Sequence, residues 1–230
     1  MLAGHVGVAL GLGRVERRLS VGVLLLGALL LDFVLWALVL SGIETVVVPA
    51  DYAGRHFLTF IFPYSHSLAG ACFWALLAGA SVWLLAARWR EGRLRASAVM
   101  AAAVFSHWIL DALVHIPEMP VGGESTVKLG LGLWNRMPVA LAVEGMIVAG
   151  GLWLLLSAGG LRRGQAAGLA VLTGVILALT VAGGTVAPAP PDPRYAAWSS
   201  LATDALIVLA GGWLGRRTAA GGSSAGSRAA

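Results

Sequence analysis

Ala96-Ser97-Ala98-Val99-Met100-Ala101-Ala102-Ala103-Val104-Phe105-Ser106-His107-Trp108-Ile109-Leu110-Asp111-Ala112-Leu113-Val114-His115 is the stretch on which the fold turns. As a helix rising about 1.5 Å per residue it extends about 30 Å, the thickness of a bilayer's hydrocarbon core. Four arginines, Arg88, Arg90, Arg93 and Arg95, stand ahead of it, and Pro117 follows. Within it His107, Asp111 and His115 recur every fourth residue, which sets them on one drifting helix face over about 12 Å. A helix of this length and composition spans a membrane, and its polar face must turn toward other helices.

The same apolar length recurs on both sides. Leu19 to Leu40, Ser67 to Ala87, Val139 to Leu156, Ala166 to Val186 and the shorter Ala197 to Leu214 read as further spans. Of the 230 residues 58% are hydrophobic and 12% charged, and the mean hydropathy is +0.84, too little polar surface to cover a water-soluble domain. Leu2 to Gly13 is apolar but reaches only about 18 Å, so it reads as a half-helix. It lacks the basic leader and cleavage site of a signal peptide and is expected to be retained. The expected fold is all-α, a polytopic transmembrane bundle of about six spans plus this half-helix. It forms one integral domain over residues 1–217, with a disordered Gly/Ser/Ala tail over 218–230. Cys72, the single cysteine, allows no intramolecular disulfide.

The basic residues report orientation. Arg14, Arg17 and Arg18, the cluster from Arg88 to Arg95, Arg162 with Arg163, and Arg216 with Arg217 all fall at alternate span ends. The positive-inside rule makes those ends and the C-terminus cytoplasmic, in a multi-pass protein of the cytoplasmic membrane, and places the loops near 41–66, 116–138 and 187–196 outside. The pI near 10.3 therefore follows from topology, and no nucleic-acid partner is expected.

Asp32, Asp111, Glu144 and Asp204 lie within the spans. At about 2.5–3.5 kcal/mol each they oppose insertion by about 10 kcal/mol unless paired, protonated or hydrated. A bound cation is an economical answer, because one ion satisfies several carboxylates. All five histidines, His5, His56, His66, His107 and His115, sit in the first half of the chain. Asp32 comes fourteen residues after Arg18 and Asp111 sixteen after Arg95, so both lie beyond mid-membrane. His66, Glu144 and Asp204 enter from the outer side, and His5 reaches the same level if the half-helix folds back on the first span. Imidazole with carboxylate suits zinc and other first-row divalent metals. Ser65 and Ser67 also read as helix-capping residues, His56 as a solvated loop residue, and Trp36, Trp108 and Trp134 as packing or interfacial anchors.

Gly4-His5-Val6-Gly7, Leu30-Leu31-Asp32, Ser65-His66-Ser67-Leu68 and Ser106-His107-Trp108-Ile109-Leu110-Asp111 together resemble a bacterial inner-membrane family of metal-dependent hydrolases. The resemblance covers roughly residues 1–120. It departs at the acidic motif, where Leu31-Asp32-Phe33-Val34 stands for Pro-Asp-x-Asp, and at Ile61-Phe62, where the family carries His-Arg. It implies a membrane-embedded hydrolase with a divalent metal, zinc first among candidates, held by His5, Asp32, His66, His107 and Asp111. Beyond the resemblance, His115 and Glu144 read as the catalytic groups, His115 as a general acid or a partner behind the ligands and Glu144 as a group that orients water or holds an imidazole tautomer. An outward-facing site at that depth suits an ester or phosphoester, and a lipid is one such substrate; membrane lipids are the expected surroundings.

Two other readings are open. Carboxylates and histidines within spans also build ion- or proton-linked carriers, and a polar cluster can serve helix packing alone. Asp111-Ala112-Leu113-Val114 and Asp204-Ala205-Leu206-Ile207 hint at an inverted repeat, yet inversion would put the partner of Asp32 near Leu152, whereas Glu144 lies in the other half. The apolar loop segment from Lys128 to Trp134 is expected to fold back over the polar cluster or to lie flat in the headgroups.

Overall fold

The computed structural model describes residues 1–87, 89 and 91–216. Arg88, Arg90, Arg217 and the expected tail from Thr218 to Ala230 lie outside the described residues. The chain is an all-α bundle. Five of its helices are long and apolar enough to cross a membrane: α5 (Leu68–Leu85), α6 (Arg93–Val114), α7 (Met137–Ser157), α8 (Arg163–Thr185) and α9 (Pro193–Leu214). α2 (Val21–Ala28) and α3 (Leu30–Leu40), which meet at a 52° bend, are together long and apolar enough for a sixth. The first span is therefore not the single helix expected from Leu19 to Leu40. Its break at Leu29 comes three residues before Asp32 and faces the polar face of α6.

Side-chain capping sets several boundaries. The Ser20 hydroxyl accepts from Val23 N–H (3.2 Å) to start α2, and Ser67 accepts from Gly70 N–H (2.9 Å) to start α5. Asp192 accepts from Tyr195 N–H (2.8 Å) with Pro193 in the first turn, so α9 begins one turn earlier than its apolar run. His115 turns into extended backbone (φ −62°, ψ 145°) and ends α6 two residues ahead of Pro117.

The half-helix α1 (Leu2–Val15) occupies the middle of the bundle, packed against α7, α2, α6 and α8, with eight of its fourteen residues buried. It meets α7 at glycine. A Cβ on Gly151 would lie 1.9 Å from the Gly7 carbonyl oxygen, so only glycine permits this approach. α2 and α9 cross in the same way at Gly22 and Gly212. Of the five long helices α6 is the most enclosed, 39% of its apolar window being buried against 17–28% elsewhere.

The two ends of the bundle differ. At one, Arg14 donates to Ser157 Oγ (2.8 Å), Arg17 donates to the Gly159 carbonyl (3.1 Å), and buried Glu16 sits between Arg18 and Arg95. At the other, the connections expected to be loops carry structure. Strands β1 (Thr45–Val47) and β2 (Thr59–Ile61) pair antiparallel around the short α4 (Tyr52–Arg55). Strands β3 (Met119–Pro120) and β4 (Lys128–Leu129) form a second pair, followed by a 3-10 turn, Leu133–Arg136. Glu118 joins the two pairs by accepting from Phe60 N–H (2.8 Å). This roof rests on a cluster of Leu35, Trp36, Val39, Val46, Phe62 and Met119, directly above the polar residues of α6.

Candidate metal centre

His107 and Asp111, one turn apart on α6, meet His66 at the start of α5, Asp32 on α3 and His5 on α1. His107 Nε2 lies 3.1 Å from His66 Nε2 and 3.1 Å from Asp111 Oδ2, and His66 Nε2 lies 3.3 Å from the same oxygen. Asp32 Oδ1 is 3.6 Å from His107 Nε2 and 3.8 Å from His66 Nε2. His5 stacks on His107 with ring centroids 3.7 Å apart and places Nε2 3.1 Å from Asp111 Oδ1. The Met1 amine lies 3.2 Å from that oxygen. All of these side chains are buried except Asp32, which is 23% exposed.

The His66 and His107 imidazoles are each held by the far nitrogen. His107 Nδ1 donates to the Ala28 carbonyl (2.7 Å), the last residue before the bend between α2 and α3. The Ser65 hydroxyl donates to Glu44 Oε2 (2.7 Å), so the contact at 2.8 Å between Ser65 Oγ and His66 Nδ1 has the imidazole as donor. Glu44 is itself fixed by the Tyr64 and Ser65 backbone amides at 2.8 Å each. With Nδ1 the donor in both, each ring in its neutral form offers an Nε2 lone pair, and the two Nε2 atoms lie 3.1 Å apart beside a carboxylate.

This donor set could hold a cation. Bonds of about 2.0–2.2 Å from nitrogen and carboxylate oxygen place neighbouring ligand atoms about 3–3.5 Å apart, which matches the triangle of His66, His107 and Asp111. Two groups could hold a metal ion, His66 with His107 and Asp111, and His5 with Asp32 and His107, each with donor atoms within 4.8 Å of one another. His5 Nδ1, buried and without a hydrogen bond among the described residues, is a further orphaned donor atom in this centre.

The two other candidates occupy different positions. His115 adjoins the centre, with Nε2 3.8 Å from Asp111 Oδ2 and Nδ1 2.6 Å from Glu118 Oε1. Trp134 packs over it, ring centroids 4.2 Å apart, and Gly132 N–H donates to its carbonyl (2.7 Å), so the segment after β4 folds onto the polar cluster. Leu131 in the same segment remains exposed. Glu144 reaches the centre through α1, accepting from Gly4 N–H (3.3 Å), and its carboxylate faces a separate cavity of about 310 Å³ with Tyr52, His56 and Met137. His56, expected in solvent, is half-buried there and holds the left-handed backbone conformation (φ 53°).

Glu44, Ser65 and Glu118 are the functional neighbours that sequence reasoning did not assign. Ser65 was legible only as a helix cap, a role that belongs to Ser67 alone. Glu118 lies three residues after His115 and was within reach of a local reading. Glu44 lies 21 residues before Ser65, and nothing in one sequence ties the two. Trp108, expected as a packing residue, also donates from Nε1 to the His66 carbonyl (3.0 Å). No protein-family model, curated protein or solved structure matches this chain significantly.

Proposed function

We propose that the chain is a metal-dependent hydrolase of the cytoplasmic membrane, with its centre toward the outer face and its C-terminus in the cytoplasm. The observation that carries this reading is the pair of imidazole lone pairs 3.1 Å apart beside the Asp111 carboxylate, each ring anchored from behind. A proton between the rings would satisfy that pair alone, whereas Asp32, Asp111 and the orphaned His5 nitrogen ask for an ion of higher coordination. Mixed imidazole and carboxylate donors favour zinc. Such an ion activates water and polarises an acyl or phosphoryl oxygen.

The chain's own groups do the rest. Glu44 through Ser65, and Ala28 through its carbonyl, hold His66 and His107 in the tautomer that offers Nε2. Glu144 fixes the start of α1, and hence His5, through the Gly4 amide. His115, oriented by Glu118, keeps Nε2 toward Asp111 and is the group placed to take or give a proton at the rim. Trp134 over His115 restricts water. The arginine-rich end of the bundle supports the orientation.

The bent pair α2 and α3 is also the form that broken helices take in ion carriers, where the same residues would line a pathway. Metal content and turnover separate the readings. Purified protein should carry stoichiometric zinc and hydrolyse p-nitrophenyl esters or phosphoesters, and the His107→Ala, Asp111→Ala variant should lose both. No metal in either protein sinks the proposal; metal with no turnover on either ester class favours the carrier.

A further inference from the structure

A second cavity, of about 300 Å³, opens between α3, α9 and the start of α1, against the exposed side of Asp32. Its polar wall is Asp32, Ser199, Ser200, Thr203 and Asp204, with Trp36 beside them. Asp204 is 3% exposed, lines the cavity, and makes no hydrogen bond or ion pair among the described residues. A buried carboxylate is costly unless it is paired, protonated or hydrated, and Asp204 has no partner among the described residues to pair with.

The wall offers acceptors. Ser199 donates its hydroxyl hydrogen to the Ala196 carbonyl (3.0 Å), and Thr203 donates its own to the Ser199 carbonyl (2.8 Å). A hydroxyl has one hydrogen, so both present only lone pairs to the cavity, as the two carboxylates do. None of the residues lining the cavity is Lys, Arg or His, and the Met1 amine, the one cationic group among the lining residues, is engaged by Asp111 Oδ1 (3.2 Å). The complement of acceptors and negative charge is a donor-bearing cation. A bare metal ion fits poorly: Asp204 belongs to neither group of donors within 4.8 Å, and the cavity has room for about ten waters at about 30 Å³ each. Trp36 adds an aromatic wall, and aromatic rings attract organic cations. Ser199, exposed, and Thr203, half-buried, are one turn apart on α9, so the stripe leads from the surface inward to Asp204.

We propose that this cavity binds an organic ammonium group and that the substrate of the adjacent His/Asp centre carries one. The second clause rests on the hydrolase reading; the binding does not. A lipid headgroup and a free amine share this chemistry.

The test uses full-length protein in maltoside micelles and native mass spectrometry. The probes are dihexanoyl phosphatidylethanolamine, dihexanoyl phosphatidylglycerol and phosphoethanolamine. The ammonium-bearing lipid should bind at least about tenfold more tightly than the glycerol lipid. Asp204→Asn, nearly isosteric, and Thr203→Val should each remove about tenfold of that preference while metal content and melting temperature stay at wild type. Binding of the lipid but not of phosphoethanolamine identifies a lipid headgroup, and equal binding of both a soluble amine; either supports the site. Equal binding of the two lipids, unchanged affinity in Asp204→Asn, or loss of metal in that variant overturns it. A wild type without metal that keeps the ammonium preference would overturn the hydrolase reading and leave this site standing.

Discussion

Ser65 and Ser67 flank His66 and do different work, which makes Ser65→Ala a sharp test of how the centre is built. Among the described residues the Ser65 hydroxyl is the only link between Glu44 and the His66 ring, at 2.7 Å on one side and 2.8 Å on the other. Alanine leaves His66 Nδ1 without its acceptor, and Nε2 loses the bias toward its lone-pair form. Losing such a partner behind a ligating histidine costs about 10- to 100-fold in metal affinity, or about 1.4–2.7 kcal/mol. The fold should survive, because Glu44 keeps both backbone bonds, from Tyr64 and Ser65 N–H. Ser67→Ala is the matched control: it removes the cap on Gly70 N–H, should lower stability by about 1 kcal/mol, and should leave metal affinity alone. Zinc affinity is read by competition with a chromophoric chelator, and stability by thermal unfolding in micelles. A Ser65→Ala protein within twofold of wild-type affinity would refute the idea that the Glu44, Ser65 and His66 chain sets the ligand.

Three further outcomes are expected. Gly151→Ala drives a methyl into the Gly7 carbonyl and should destabilise by about 1–3 kcal/mol, whereas Gly150→Ala meets nothing within 4 Å and should be neutral; equal melting temperatures would contradict the α1–α7 crossing. Reporter tags at the C-terminus and between Arg88 and Arg95 should read cytoplasmic and tags near Gly122 or Pro190 external, and a cytoplasmic signal from Gly122 would overturn the orientation. In a Cys72→Ala background a cysteine at exposed Leu131 should label quickly in micelles and one at Trp134, packed on His115, slowly; equal rates would mean the segment does not cover the centre.

What the sequence made legible was whatever depends on length, charge and local spacing. Apolar runs of bilayer length announced the spans, and the four-residue spacing on α6 placed His107 and Asp111 on one face before any partner was known. Depth could be counted from the arginines, so Asp32, His66 and Asp111 could be set at one level. Azimuth could not, because the direction a helix turns its polar face is decided by packing, here by glycine contacts such as Gly7 on Gly151 that join segments far apart in the chain. The bend at Leu29 was hidden for another reason: Leu24 to Leu31 is continuously apolar apart from Gly27 and Ala28, and has no proline to mark a break. Glu44 and Glu118 were passed over because carboxylates in polar connections are ordinarily solvated, and only the paired strands above the bundle bury them.

The central position of α1 dictates the order in which the protein can be made. At about 21 Å this helix is too short to hold itself across a bilayer, and the surface that encloses it is largely α7, which begins more than a hundred residues later. At about 5–20 residues per second, ribosomes need several seconds to more than twenty to reach the end of α7 after α1 has emerged. During that interval α1 lacks α7, the partner that covers most of it, and the packing that sets His5 beside His107 is incomplete. The centre is thus completed only once α7 has been made, and an ion held through His5 would be loaded at assembly and not during synthesis.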